Sequence, residues 1–455
     1  MRWRGSIRAQ NAVATFDNAG HFVVDGVVPD VLLRLFRLRD ATGPERKAVA
    51  WIALMFCCAL ASTSVLRPLR SQFGVDRGVD QMPYLYALTL LATVVCVLPF
   101  WWLANRMPSR RFIPLVLHLC VVAFLLLALG FAAIGDYDWQ QVPWFGELFW
   151  GGFNAITVIV PTLAWIHTVE HFRREQARRL FALIAVGATC GAVFGSWLAG
   201  ELTGILSLWA SGVIAAVLLE LAFVAFLGSL PHCQNLVRRE AVNGDRAFVP
   251  GVARGGIFAG IVVLVKDGYV RAIGCYMLLL GTLSTAFYAA QTELVGKQIA
   301  EGKAQHVWLA DVEMYGQGLV LLLQLFATGR LMSRLPAAAL LISLPVVSIL
   351  GLGIWWLLPT AFAIFLVQIF RRGAQYAFEK PAREVLYTPL DLETKHKVKF
   401  LLDTFAFRLG DLLGAVLQLW LRHLELGLGG IVTATCVVAA VWIGLGLVLG
   451  RRREG

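Results

Sequence analysis

The sequence predicts an all-α membrane protein of twelve transmembrane helices, arranged as two pseudo-repeated six-helix bundles. Three observations predict it. Of the 455 residues, 58% are hydrophobic and only 15% charged, against about 25% charged in a soluble domain. Apolar runs of membrane-spanning length recur along the whole chain. Motifs in the first half return in the second at a nearly constant shift.

A helix needs roughly 20 apolar residues to cross the hydrocarbon core. Twelve runs satisfy this, at roughly 48–73, 83–104, 111–134, 144–169, 179–203, 206–230, 272–296, 307–329, 335–358, 360–379, 399–421 and 427–450. Lipid offers the backbone no hydrogen-bond partners, so the runs are read as helices rather than open strands. The predicted organisation is a cytoplasmic segment 1–47, a six-helix bundle 48–230, a cytoplasmic linker 231–271, a second bundle 272–450 and a basic tail 451–455. In the N-terminal segment, VLLRLFRLR at 31–39 reads as a basic helix lying on the membrane surface. In the linker, IFAGIVVLV at 257–265 is too short to span and reads as interfacial.

Of the 40 Lys and Arg residues, 33 fall on segments that are inner if the N-terminus is cytoplasmic, and four on outer loops. The bias predicts a multi-pass inner-membrane protein with both termini cytoplasmic. The formal charge of +11 is then met by anionic lipid headgroups, and no nucleic-acid partner is expected. No cleavable signal peptide is expected either: the first 45 residues are mixed and basic, without a short apolar core before a small-residue cleavage site. Seven of the eight cysteines, Cys57, Cys58, Cys96, Cys120, Cys190, Cys275 and Cys436, sit in apolar runs and read as packing residues. No disulfide, metal site or cofactor is expected.

NRMPSR at 105–110 is echoed by GRLMSR at 329–334, shifted by 224; Ser62-Thr63 by Ser284-Thr285, shifted by 222; and Phe181, Gly191 and Gly195 by Phe400, Gly410 and Gly414, shifted by 219. Two six-helix halves joined by a long inner linker resemble the layout of major facilitator transporters. Gly187, Gly191 and Gly195, spaced by four, form a small-residue stripe suited to close helix contact.

The remaining three basic residues, Arg67, Arg70 and Arg408, fall inside helices. Arg67 and Arg70 in VLRPLR lie at i and i+3, on one helix face, after nineteen uncharged residues, Ala48 to Leu66. A charge within the membrane is tolerated where it lines a cavity or meets a partner. The two guanidiniums therefore read as cavity residues for an anionic solute, with snorkelling to the outer surface as the plainer alternative. Pro68 between them frees a backbone carbonyl. Candidate acidic partners are Glu293, Asp311, Glu313 and Asp411. Arg408 and Asp411, three apart, are also placed to neutralise each other. Asn154, Gln291, Gln324, Gln368 and Gln418 add hydrogen-bonding groups inside helices. The predicted substrate-binding set is Arg67, Arg70, Asn154, Gln291, Glu293, Arg408 and Asp411. If transport is proton-coupled, Glu293 or Asp411 is the titrating group, because arginine stays charged.

A rival class rests on HTVEH at 167–171, which fits the H-x-x-E-H pattern of inverted zinc peptidases. A zinc site needs a third ligand, and the basic residues of RREQARR that follow oppose a cation. A non-transporting scaffold or sensor is a further rival, but no large soluble output domain accompanies the helices.

The stretch YAFEKPAREVLYTPLDLETKHKVKFLLDTFAFRLG at 376–410 resembles the signature of the ATP/ADP translocases of plastids and intracellular bacteria, through Tyr376, Pro381, Glu384, Tyr387, Pro389, Leu390, Asp391, Lys395, Lys397, Lys399, Asp403, Arg408, Leu409 and Gly410. LRPLR at 66–70 is similar to that family's Leu-Arg-x-x-Lys-Asp, and EQARRLFALIAVGA at 175–188 to its Glu-Ala-Lys-Arg-Phe-Tyr segment. The resemblance implies a facilitator-type fold, nucleotide exchange by alternating access, and a substrate-binding role for Arg70 in place of the family's lysine. Three departures stand out: Ser71 where the family has aspartate, Lys380-Pro-Ala-Arg383 where it has Asp-Pro-Thr-Lys, and Asp411 where it has lysine after Arg-Leu-Gly. The expected solute is a small anion, with ATP and ADP as the first candidates and a non-nucleotide anionic or amphiphilic solute as the alternative. A monomer is expected.

Overall fold

The computed structural model describes residues 14–16, 22–24, 43–140, 142–172, 174–242, 257–390, 394, 398, 399 and 401–454. The expected surface helix at 31–39 lies outside the described residues, as do Asp391, Lys395 and Lys397. Ala14–Phe16 and Phe22–Val24 pair as a short antiparallel ladder, β1 and β2. The rest of the described chain is helical apart from short links between the helices.

The first half comprises α1 Gly43–Arg77, α2 Met82–Arg106, α3 Ser109–Ile134, α4 Pro143–His171, α5 Arg174–Leu202 and α6 Leu208–Val242. A short helix follows, α7 Ile257–Lys266, in the segment read as interfacial. The second half comprises α8 Gly268–Gln298, α9 Lys303–Leu323, α10 Gly329–Arg334, α11 Ala337–Leu357, α12 Ala361–Ala374, α13 Lys380–Leu386, α14 Phe407–His423 and α15 Leu428–Glu454. One-turn π segments at Gln324–Thr328 and Gln375–Glu379 join α9 to α10 and α12 to α13.

Eleven helices among the described residues are long and apolar enough to cross a membrane. The run at 360–379 falls on the remaining one, where α12 continues through its π turn into α13. Its hydropathy is diluted by Arg371, Arg372 and Glu379, all placed inside the helical body. This corrects the charge tally, whose 33 inner cations include Arg371, Arg372 and Arg383 through an inner segment taken as 371–399. Without them the inner segments still far exceed the four outer cations. A second difference lies at the linker. α6 runs to Val242 rather than 230, because a helix does not stop where its apolar run stops.

Each half has its own core. One is built around Phe56, Phe73, Phe131 and Trp150, the other around Tyr276, Phe287, Tyr387 and Trp442. Large apolar side chains such as Leu91, Leu126, Leu129, Leu350 and Val437 face outward, as surfaces in contact with lipid do. Exposed Trp102, Trp144, Trp356 and Trp420 stand near helix ends, where indoles favour the membrane–water interface.

The sequence repeat is a structural repeat. A Cβ on Gly191 or Gly195 would lie 1.9 Å from the Cys57 carbonyl oxygen or 2.3 Å from that of Ala61. In the second half, a Cβ on Gly410 or Gly414 would lie 2.4 Å from the Leu278 carbonyl oxygen or 2.6 Å from that of Thr282. Thus α5 seats on α1 as α14 seats on α8, backbone against backbone, and only glycine fits at these contacts.

Candidate functional site

The halves meet along α1, α2 and α5 on one side and α8, α9 and α14 on the other. Several cross-half contacts cluster beyond Arg70, toward the C-terminal end of α1. Gln72 Nε2 donates to the Gly302 carbonyl at 2.8 Å. Val75 packs with Val295 and Leu309. Val79, Met82 and Tyr86 pack with Ala289 and Ala415. These contacts seal one end of the interface.

Just below the seal, Arg67 Nη1 donates to Glu313 Oε2 at 3.1 Å. The same carboxylate takes a two-pronged contact from Arg372, through Nη1 to Oε2 and through Nη2 to Oε1, the latter at 2.6 Å. One buried carboxylate therefore sits between two guanidiniums, Arg67 of the first half and Arg372 of its own. Gly316 makes this possible: a Cβ there would lie 2.8 Å from Arg372 Cδ. A lone charge in this setting would be costly, whereas the charge-assisted bonds offset its desolvation.

Arg70, one turn on, has no carboxylate bound to it among the described residues. Its guanidinium carbon stands 4.8 Å from the Trp150 ring centroid and 5.6 Å from that of Tyr288. Nη1 reaches the Tyr288 hydroxyl at 3.5 Å, and Nε is buried without a partner. Tyr86 closes the group, its ring 6.2 Å from Trp150 and 6.4 Å from Tyr288. The arrangement is fixed from behind. Trp150 Nε1 donates to the Thr89 hydroxyl at 2.8 Å and to the Leu85 carbonyl at 3.0 Å. The Tyr288 hydroxyl donates to the Ser71 carbonyl at 3.3 Å. Gly74 leaves room, since a Cβ there would lie 2.7 Å from the Tyr288 hydroxyl and 2.8 Å from Trp150. A guanidinium flanked by two rings, one from each half, with Tyr86 packed against both, can hold an anionic group through charge and a flat body through stacking.

The other predicted residues separate into four groups. Asn154 joins the ring group from behind: its amide donates to the Trp150 carbonyl at 2.8 Å and to the Thr89 hydroxyl at 3.4 Å. Arg408 and Asp411 pair with each other at 3.3 Å, and Thr285 donates to the Asp411 carboxylate at 3.4 Å. Gln291 belongs to a chain inside the second half. It accepts from Gln368 at 2.8 Å, and Gln368 accepts from Arg371 at 3.2 Å. Arg371 also meets the Ser348 hydroxyl and lies over the Phe287 ring at 3.9 Å. Glu293 is drawn elsewhere, to Arg422 at 2.5 Å and Lys297 at 2.6 Å. Both stand in the last turns of their helices, so Glu293 is not brought to Arg67 or Arg70.

In HTVEH, His167 meets the Ser229 hydroxyl at 2.7 Å, and Glu170 accepts from Ser109. The peptidase reading needs that glutamate as a base.

Sequence reasoning missed Arg372, Trp150, Tyr86 and Tyr288. Arg372 had a usable signal. It follows an apolar run that begins at Ala361, and at about 1.5 Å per residue this puts it some 16 Å into its helix, well short of a full crossing. The aromatic residues had none, since an aromatic residue in an apolar helix looks the same whether it packs in a core or faces a cavity.

No family model and no curated protein matches the chain. Solved structures do. A bacterial homologue of the human lysosomal transporter Spinster, in an inward-facing and unoccupied conformation, aligns with a TM-score of 0.53 at 13% identity, covering 91% of this chain and 98% of that one. The nucleoside transporter NupG aligns with a TM-score of 0.54 at 14% identity, again over 91% and 98%. A NupG mutant with one aspartate changed to alanine gives 0.56 at 15% identity, over 90% and 99%. The fold is that of the major facilitator transporters. At these identities the likeness extends to the fold and not to a substrate, and the ATP/ADP translocase resemblance rests on the sequence motifs alone.

Proposed function

We propose that the chain is a secondary transporter of the inner membrane that moves a small anionic solute by alternating access, with Arg70 as its principal anchor. The observation that carries this reading is the guanidinium of Arg70, held among Trp150, Tyr86 and Tyr288 at the junction of the halves, without a bound carboxylate among the described residues. A charge placed so within a membrane fold is best explained by an anion that visits it. With both termini cytoplasmic, as the charge bias favours, the sealed end is the outer one.

The aromatic walls favour an anion attached to a flat ring, because a ring stacks on Trp150 or Tyr288 while its anionic group meets Arg70. Nucleotide exchange is the specific form of this reading; the motifs at 376–410 and 66–70 support it, and NupG is a nucleoside transporter of the same fold. Against a triphosphate stands the charge count near the site: Arg67 and Arg408 already have carboxylates, leaving Arg70 and Arg371 without one among the described residues, and Arg371 is tied to Gln368 and Ser348. A singly charged amphiphilic anion is therefore the second reading. Should transport couple to protons, Asp411 serves better than Glu293, which is already engaged by two cations away from the site. The fold needs no partner, and the working unit is a monomer.

The test is counterflow in proteoliposomes loaded with ADP, with labelled ATP outside and a competition panel of nucleosides, nucleotides and non-nucleotide anions. Anions competing while neutral nucleosides do not would support the anion reading. Competition by neutral solutes alone would sink it.

A further inference from the structure

We propose that His167, His171 and Cys233 form a transition-metal site of the zinc type, joining α4 to α6 at the C-terminal end of α4. His167 and His171 are four apart and so share a face of α4; their ring centroids are 4.7 Å apart. Cys233 reaches the same place from α6, one turn past Ser229. One donor atom from each of the three lies within 4.8 Å of the other two. Two of the residues were visible in HTVEH. The third ligand is the one cysteine outside the seven read as packing residues.

The hydrogen bonds around the site suit ligation. His171 Nδ1 lies 2.8 Å from the His167 carbonyl. A carbonyl only accepts, so Nδ1 carries the proton and the Nε2 lone pair is free, which is how a metal-binding imidazole is commonly held. The Ser229 hydroxyl donates to the Phe226 carbonyl at 2.6 Å and thus accepts from His167 Nε2, which leaves Nδ1 as the His167 nitrogen with a lone pair for a metal. His167 and Cys233 are buried, while His171, the last residue of α4, is half-buried and gives a cation its way in.

Two imidazoles and a thiol are a nitrogen–sulfur donor set, suited to Zn²⁺ or Co²⁺ rather than Mg²⁺ or Ca²⁺. Three protein ligands leave the fourth position to water. Tetrahedral zinc would bring the donors to about 3.5 Å from one another, a contraction of about 1 Å at the widest pair. As the metal–sulfur bond forms, the thiol proton passes to solvent, so acid weakens binding. Glu170 accepts from Ser109 and is not one of the three clustered donors. The site tethers α4 to α6 within one half and leaves movement between the halves free.

The experiment is Co²⁺ titration of the purified full-length chain in detergent, read by the thiolate-to-cobalt charge-transfer band in the near ultraviolet. The expected result is one equivalent bound, a band absent from Cys233→Ser, and at least tenfold weaker binding in His171→Ala. The other seven cysteines remain in Cys233→Ser, so a band arising from them would persist there. Zn²⁺ should also raise the melting temperature of the native chain and of neither variant; because His171 sits at a helix end, His171→Ala keeps this test open if Cys233→Ser misfolds. No saturable band, or one that survives in both variants, would overturn the proposal.

Discussion

Arg67 on α1 and Glu313 on α9 meet at 3.1 Å, and this contact spans the two halves of the molecule. The carboxylate is also gripped by Arg372. Replacing it leaves two guanidiniums facing each other, whereas replacing Arg67 leaves a carboxylate still paired. Glu313→Gln should therefore destabilise the fold more than Arg67→Gln, by about 3 kcal/mol for a buried pair broken on one side. Thermal melts of the two single variants and the double variant check this, with a double-variant loss smaller than the sum of the singles.

The glycine contacts make a paired prediction. Gly191→Ala and Gly410→Ala each place a methyl group against a carbonyl of the neighbouring helix, Cys57 in one half and Leu278 in the other. Each should cost about 1–3 kcal/mol as overpacking, and the two costs should be alike because the contacts are repeats of one another. Gly318→Ala, with open space at its Cβ, should cost nothing measurable. Melting temperatures of the three variants in one detergent decide the matter.

Arg70 can be separated from simple charge. Arg70→Lys keeps the cation but loses the planar face that lies against Trp150 and Tyr288. Its transport should fall at least tenfold through a raised KM, with the maximal rate much less affected. Initial rates over a range of solute concentrations read the split.

Asp411 is buried beside Arg408 and Thr285. If a proton moves with the solute, Asp411→Asn should retain solute exchange and lose uptake driven by a pH gradient, whereas Glu293→Gln should lose neither. Uptake with and without an imposed gradient measures both.

The fold was legible because lipid imposes it: apolar length, charge asymmetry and a repeat of small residues all follow from constraints acting along the chain. Arg67, Arg70 and the Arg408–Asp411 pair were legible for the same reason, as charges where charges are costly. Arg372 was counted with the inner cations although the run at 360–379 contains it, and the packing that keeps it inside the bundle comes from Gly316 and Glu313 on another helix. The placement of Glu293 turned on Arg422, 129 residues away, which local spacing does not reveal. The ring group around Arg70 depends on three helices meeting, and no single segment encodes that meeting.

The measurement that bears most directly on the central claim is counterflow of the best anionic solute into proteoliposomes bearing native protein, Arg70→Ala or Glu293→Gln, with equal amounts of folded protein inserted. The expected result is loss of counterflow in Arg70→Ala and a near-native rate in Glu293→Gln. A near-native rate in Arg70→Ala would contradict the account, because the cation left open between the halves would then have no part in holding the solute.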